Sequence, residues 1–159
     1  RLFWKYPNID KYEKLRKLAK QLKGWENLRS HIIRELGGKK DFDFLVRLYL
    51  LEKEVGNALV TLEKLPERWG DHSLHIEVAQ AAKKQYPQES IRLFTKEAER
   101  FINYRDRGNY SQAALCLREI RDIYRQLNEI QSWDKLIAEI RERFRKLPAL
   151  QDELNQLKL

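Results

Sequence analysis

The chain has 159 residues, 42% of them hydrophobic and 35% charged, with 32 Lys and Arg against 24 Asp and Glu, a net charge of +8. That length suits one domain with a sizeable core. No apolar run approaches the roughly 18 residues a spanning helix needs, and the opening stretch Arg1–Asp10 lacks the apolar core of a signal peptide. The single cysteine, Cys116, excludes an internal disulfide framework and fits a reducing, cytoplasmic compartment.

The charge is uneven. Residues 1–40 hold 12 basic and 4 acidic side chains, giving +8; residues 41–100 hold 9 and 11, giving −2; residues 101–159 hold 11 and 9, giving +2. The chain contains no methionine and opens on the apolar Leu2, Phe3, Trp4 and Tyr6, past which Pro7 and Asn8 break the segment. This opening reads as a cut inside or just upstream of a packed region of a longer protein.

In chain order, a first helix is expected from Asp10 to Lys23, with Asp10 as its cap and Gly24 as its stop. Tyr12, Leu15, Leu18, Ala19 and Leu22 form its apolar side. A second helix carries Trp25, Leu28, Ile32, Ile33 and Leu36 and stops at Gly37 and Gly38. Asp41 opens a third, with Phe42, Leu45, Val46, Leu48 and Tyr49 inward. A fourth, near Gly56, holds Ala58, Leu59, Leu62 and Leu65.

Pro66, Trp69 and Gly70 mark a looser stretch. Asp71 or Ser73 caps a fifth helix with Leu74, Val78, Ala81 and Ala82 inward. Pro87 suits the first position of a sixth, which runs to Arg107. A seventh follows Gly108, with Ala113, Ala114, Leu117, Ile120, Tyr124 and Leu127 on one side. An eighth follows Ser132, with Trp133, Leu136, Ile137, Ile140, Phe144 and Leu147. Pro148 precedes a last short helix with Leu150, Leu154 and Leu157. Spacings of three and four define one buried face on each. No period-two alternation and no Asn-Gly or Asp-Gly turn signals a strand.

Internal repetition is present. Trp25-Glu-Asn-Leu28 recurs as Trp133-Asp-Lys-Leu136, each followed four residues later by Ile32 or Ile140. The preceding helices also match, Tyr12, Leu15, Leu18 and Leu22 against Leu117, Ile120, Ile123 and Leu127. Tyr49, Ala58, Leu62 and Leu65 have the spacing of Tyr104, Ala113, Leu117 and Ile120, and in the second copy Gly108-Asn-Tyr110 is expected to make a tight turn. Tyr86-Pro87-x-x-Ser90 with Phe94 is a weaker third copy. A small residue allows two helices to cross closely and an aromatic fills the space beside it.

The pattern resembles tetratricopeptide (TPR) repeats, though Ala58, Ser90 and Ala113 are separated by 32 and then 23 residues, not by a constant period. The expectation is an all-α domain over residues 1–159: an irregular TPR-like stack of about eight or nine antiparallel helices, an α-α superhelix. An unrelated helical bundle with coincidental spacing is the competing reading.

From Tyr104 onward Gly108-Asn-Tyr-Ser-Gln-Ala113-Ala114, Leu117, Tyr124, Trp133, Leu136-Ile137, Arg141, Leu147-Pro-Ala-Leu150 and Glu153-Leu154 resemble the end of bacterial SWIM zinc-finger proteins. The resemblance covers roughly Asp41 to Leu159. It implies a carboxyl-terminal helical domain that follows the finger. The family's zinc ligands belong to a C-x-C … C-x-H motif, which a chain with one cysteine cannot supply. Zinc is therefore expected only in the upstream finger of the parent protein, and no cofactor in this chain.

No catalytic constellation is visible, so no enzymatic activity is expected. His72 and His75 are three apart beside Asp71 and Glu77, short of the three or four ligands a metal site needs. The charged candidates for an acidic or phosphate-bearing partner are Lys11, Lys14, Arg16, Lys17, Lys20 and Lys23 on the first helix, continued by Arg29, Lys39 and Lys40. Arg118, Arg121 and Arg125, at i, i+3 and i+7, form a second set, with Arg141, Arg145 and Lys146 beyond it. Glu119, Asp122, Glu139 and Glu142 interleave with these arginines and offer them local pairs. Three functions follow: a non-enzymatic interaction scaffold for an unidentified protein partner, an accessory nucleic-acid-binding domain using the basic amino-terminal helices, or a structural spacer or oligomer contact. Composition gives no membrane role and does not fix the oligomeric state.

Overall fold

The structure, a computed structural model, describes residues 8–21, 24–66 and 72–159, with His72 described for its backbone alone. The described residues are helical, contain no strand, and fall into two compact units, Arg1–Gly70 and Asp71–Leu159. The expected Leu22, Lys23, Trp69, Gly70 and Asp71 features lie outside the described residues.

Among its described residues the first unit has four helices: α1 (Ile9–Gln21), α2 (Trp25–Gly38), α3 (Phe42–Leu51) and α4 (Val55–Leu62). α1 packs on α2 and α3, and α3 packs on α2 and α4. Asn8, not Asp10, caps α1: the Lys11 amide donates to Asn8 Oδ1 at 2.8 Å, which leaves Asp10 in the first turn, where its charge complements the helix dipole. Asp41 caps α3 as expected, accepting from the Phe44 amide at 3.3 Å. The core gathers Tyr12, Trp25, Ile32, Leu36, Phe44, Leu45 and Leu48, with the Tyr12 ring edge-on to Trp25 at 5.5 Å and to Phe44 at 6.5 Å. Leu18, expected inward, is 61% exposed, because the buried side of α1 is centred on Tyr12 and Ala19.

The expected glycine stop of α2 is also displaced. Gly37 and Gly38 stay helical, and the chain reverses at Lys40, at φ 56°. The Lys40 amide donates to the Gly37 carbonyl and the Asp41 amide to the Leu36 carbonyl, a Schellman closure without glycine. The same closure recurs after α3, where Lys53 has φ 62° and the Glu54 amide donates to the Tyr49 carbonyl at 2.8 Å. In both, the residue after the left-handed one is also the cap of the next helix. A lysine there places positive charge beside exposed helix-end carbonyls, which offsets part of the backbone cost.

The second unit has α5 (His72–Ala82), α6 (Pro87–Asn103), α7 (Arg107–Gln126), α8 (Ile130–Arg143) and α9 (Pro148–Gln156). α6 packs on α5 and α7; α7 also carries α8 and α9. Pro87 and Pro148 each stand at a first helical position, where a missing amide costs no helical bond. Close approach rests on small residues: Ala79, Ala82, Ser90, Ala98, Ala113 and Ala114 are all buried. The Ser90 hydroxyl donates to the Ala79 carbonyl at 2.7 Å, satisfying its own polarity where α5 meets α6. Ala81, expected inward, is exposed, and Ala79 takes its place.

α6 ends at Asn103, short of Arg107, because Asp106 caps α7 by accepting from the Asn109 amide at 3.0 Å. Gly108 therefore lies in the first turn of α7 and makes no tight turn; the left-handed residue of that connection is Arg105, φ 60°. α8 likewise begins before Ser132, at Ile130.

Candidate functional site

α1 presents the basic face that the sequence singles out. Lys14, Lys17 and Lys20 are exposed, and Lys17 sits 3.3 Å from Glu13 one turn earlier. Leu18 follows Lys14 by four residues, so an exposed apolar side chain stands beside that lysine. Lys11 is half-buried, and Lys23 lies outside the described residues.

Arg16 does not share that face. Its Nε lies 3.6 Å from Glu52 Oε1, buried and with no hydrogen-bond partner among the described residues. It belongs to an ionic knot behind α1. The Tyr12 hydroxyl donates to Glu52 Oε1 at 2.7 Å, Arg29 Nε to Glu52 Oε2 at 2.6 Å, and Arg29 Nη2 to Glu54 Oε1 at 2.6 Å. Asn57 Nδ2 donates to Glu54 Oε2 at 2.8 Å. One carboxylate, 5% exposed, thus ties α1, α2 and the end of α3 together. Burial, then the hydrogen bond to Glu52 and its charge, pushes the Tyr12 hydroxyl well above its ordinary value. Burial works against the Arg29 charge, but the hydrogen bond to Glu52 and the charges of Glu52 and Glu54 outweigh it and hold the guanidinium above its ordinary value.

In the second unit Arg118, Arg121 and Arg125 do not form one free face. Arg118 is half-buried. Arg121, 14% exposed, bonds Asp122 Oδ1 at 3.2 Å and the Leu157 carbonyl at 3.4 Å, clamping the end of α9 to α7. Arg125 is exposed, 3.9 Å from the same Asp122. Arg141 likewise holds α9, through Gln151 at 3.0 Å and Asn155 at 2.9 Å.

Of the repeat-defining residues, Trp25, Ala58, Leu62, Tyr110, Ala113, Leu117 and Trp133 are buried, Tyr49 is half-buried, and Gly108 and Tyr104 are exposed. The correspondences hold in spacing but shift against the helix ends. Ala58 is the fourth residue of α4, whereas Ala113 is the seventh of α7; Trp25 is the first of α2, whereas Trp133 is the fourth of α8. In both cases the later copy starts about one helical turn earlier.

Two buried acids escaped the sequence reading. Glu52 ends the otherwise apolar run Leu48-Tyr-Leu-Leu51, and Glu97 stands between Phe94 and Phe101 on the buried stripe of α6. Glu97 is fully buried and accepts from Arg100 Nη1 at 2.7 Å. A charge at a core position of an amphipathic pattern was the available signal for both. Cys116 is buried in α7, and burial, reinforced by the charges of Glu97 and Glu119, pushes its thiol up to about 12.

Among the described residues no group of three or more His, Cys, Asp or Glu is placed to hold a metal ion, and no helix is long and apolar enough to cross a membrane.

A 73-residue stretch, 46% of this chain, is 30% identical to the uncharacterized protein YwqB of Bacillus subtilis (strain 168) and spans 14% of that protein's length. No family model and no solved structure matches the chain.

Proposed function

We propose that this chain is a non-enzymatic, TPR-like helical scaffold that binds an acidic protein partner through the outer face of α1. The carrying observation is the exposed Leu18 beside Lys14, with Lys17 and Lys20 also exposed, on a helix clasped from behind by the Glu52 knot. An exposed leucine supplies apolar area and the lysines supply steering charge, while the clasp lets the helix bind without reordering. The resemblance to the ends of SWIM zinc-finger proteins supports a domain that positions an upstream zinc finger, and the single cysteine supports a reducing, cytoplasmic setting. The match to a small share of a longer bacterial protein supports the reading of a domain within a larger chain.

Affinity capture with the wild type and with Leu18→Asp tests it. One acidic protein retained by the wild type and lost with Leu18→Asp is the expected result. Equal recovery by both overturns the assignment of this face.

The concentration of the net charge in residues 1–40 favours a second reading, in which the same lysines bind nucleic-acid phosphates. It predicts binding to a generic DNA duplex or single strand that weakens steeply with salt and vanishes when Lys14, Lys17 and Lys20 become Glu. Undetectable binding at low salt removes this reading and leaves the scaffold.

A further inference from the structure

A second basic feature lies in the other unit, in a cleft of about 480 Å3 between the α6–α7 connection and the end of α8. Its walls bring together four cations from distant positions, Arg105 from one side and Arg143, Arg145 and Lys146 from the other, around Phe144. Glu142 accepts from Arg145 Nη1 at 2.7 Å, and Glu99 accepts from Arg143 Nη1 at 2.7 Å. The Arg143 guanidinium also stacks over the Phe144 ring, 4.9 Å from its centroid, which fixes its plane. Four cations against two carboxylates leave +2. Neither Arg105 nor Lys146 has a side-chain partner among the described residues.

Cations beside helix-end carbonyls have a local use, complementing the dipole. Lys40, Lys53 and Lys158 occupy left-handed connections of the same kind as Arg105. At Arg105 three further cations line the same cleft as the left-handed residue. We infer that this cleft binds a phosphate-monoester dianion, with Arg105 and Lys146 supplying the free charge and Arg143 and Arg145 forming its rim. A monoester carries about −1.5 to −2 at neutral pH and several strong acceptor oxygens, which match a +2 cleft rich in guanidinium forks.

The test is an amide-resolved NMR titration of the whole chain with inorganic phosphate at constant ionic strength. Saturable shifts at Arg105 and Phe144–Leu147 are expected. The double variant Arg105→Gly, Lys146→Ala should raise Kd about tenfold or more, because two charge-assisted contacts are lost. Glycine accepts a φ of 60° without strain, so this variant keeps its fold and a lost affinity is not an unfolding artefact. Shifts that stay linear with phosphate, or a Kd unchanged in the variant, overturn the site. In a second arm, thymidine 5′-monophosphate should bind more tightly than a thymidine dinucleotide joined by a phosphodiester. Equal or tighter binding of the singly charged diester overturns the dianion assignment. Neither result bears on the α1 face, which belongs to the other unit.

Discussion

Residues 9–62 and 72–156 are both built from short paired helices, yet their interiors hold together by different physics. In the first unit the aromatic core is tied at its edge by a buried carboxyl group, Glu52, held by Tyr12, Arg16 and Arg29. The second centres on small buried side chains, Ser90 where α5 meets α6 and Ala98, Ala113 and Ala114 on α6 and α7, with long apolar ones filling the remainder. The longest helices differ as well: α6 and α7 have 17 and 20 residues, against 13 and 14 for α1 and α2, which expose proportionally more helix ends. A buried ionic knot gives little net stability, because desolvation offsets attraction, but it penalises every wrong register that leaves a charge unpaired. Short helices with few core layers benefit most from that penalty.

The sharpest way to break this contrast is Glu52→Ala. It leaves the Tyr12 hydroxyl without its acceptor, Arg16 without its ion pair and Arg29 with Glu54 alone, at a cost of about 3–5 kcal/mol. Amide exchange should show protection lost across α1–α3 and kept across α6 and α7. A loss below about 1 kcal/mol, or one spread evenly over both units, would remove the knot's assigned role. Next in size is Ala113→Leu, the matching insult to the second unit. Inserting three carbons at this fully buried position of α7 should cost about 1–3 kcal/mol, read as a lower thermal midpoint with α7 exchange accelerated and α1 unchanged.

A difference in pH response sharpens the contrast from another side. The Cys116 thiol moves from an ordinary 9.0 up to about 12 in the folded chain. The folded state therefore holds this proton more tightly than the unfolded state. The linked stability is complete below about pH 9 and is lost as pH rises from there toward 12. Cys116→Ala should flatten stability over that window. In the native wild type at pH 8, a thiol reagent should react only at the rate of local opening. Reaction as fast as a free thiol would mean that α7 does not bury Cys116. Tyr12, also raised by burial, gives the first unit its own loss at higher pH, which Tyr12→Phe should remove.

Helix number and most of the apolar faces were legible in the sequence, because spacings of three and four survive any tertiary arrangement. Caps were legible when the capping side chain directly preceded the apolar run, as at Asp41, and misplaced when two candidates stood together, as with Asn8 and Asp10. Glycine misled twice. Gly37-Gly38 and Gly108 looked like breaks, but each lies within a helix, while the reversals fall at Lys40 and Arg105. The α1 lysine face was legible as composition. That Arg16 leaves it was not, because its ion-pair partner Glu52 lies 36 residues away across a packed interface. The cleft at Arg105 and Lys146 was invisible for the same reason: tertiary packing alone joins a connection to a helix end.

The smallest expected effect tests the turns. At Gly37 an added Cβ meets nothing within 4 Å, and the backbone is helical. Gly37→Ala should therefore stabilise the first unit by up to about 0.5–1 kcal/mol, through the unfolded chain's lost freedom alone. Lys40→Gly acts at the left-handed residue itself. It relieves a backbone cost of about 1–2 kcal/mol but removes a cation worth about 0.3–1 kcal/mol at the end of α2. The net gain should be small at low salt and grow as salt screens the charge it discards. Urea midpoints for both variants at low and high salt decide the matter. A Gly37→Ala protein less stable than wild type would show that α2 does not continue through the glycines. A Lys40→Gly protein whose gain shrinks with salt would show that the lysine's charge is not what holds it there.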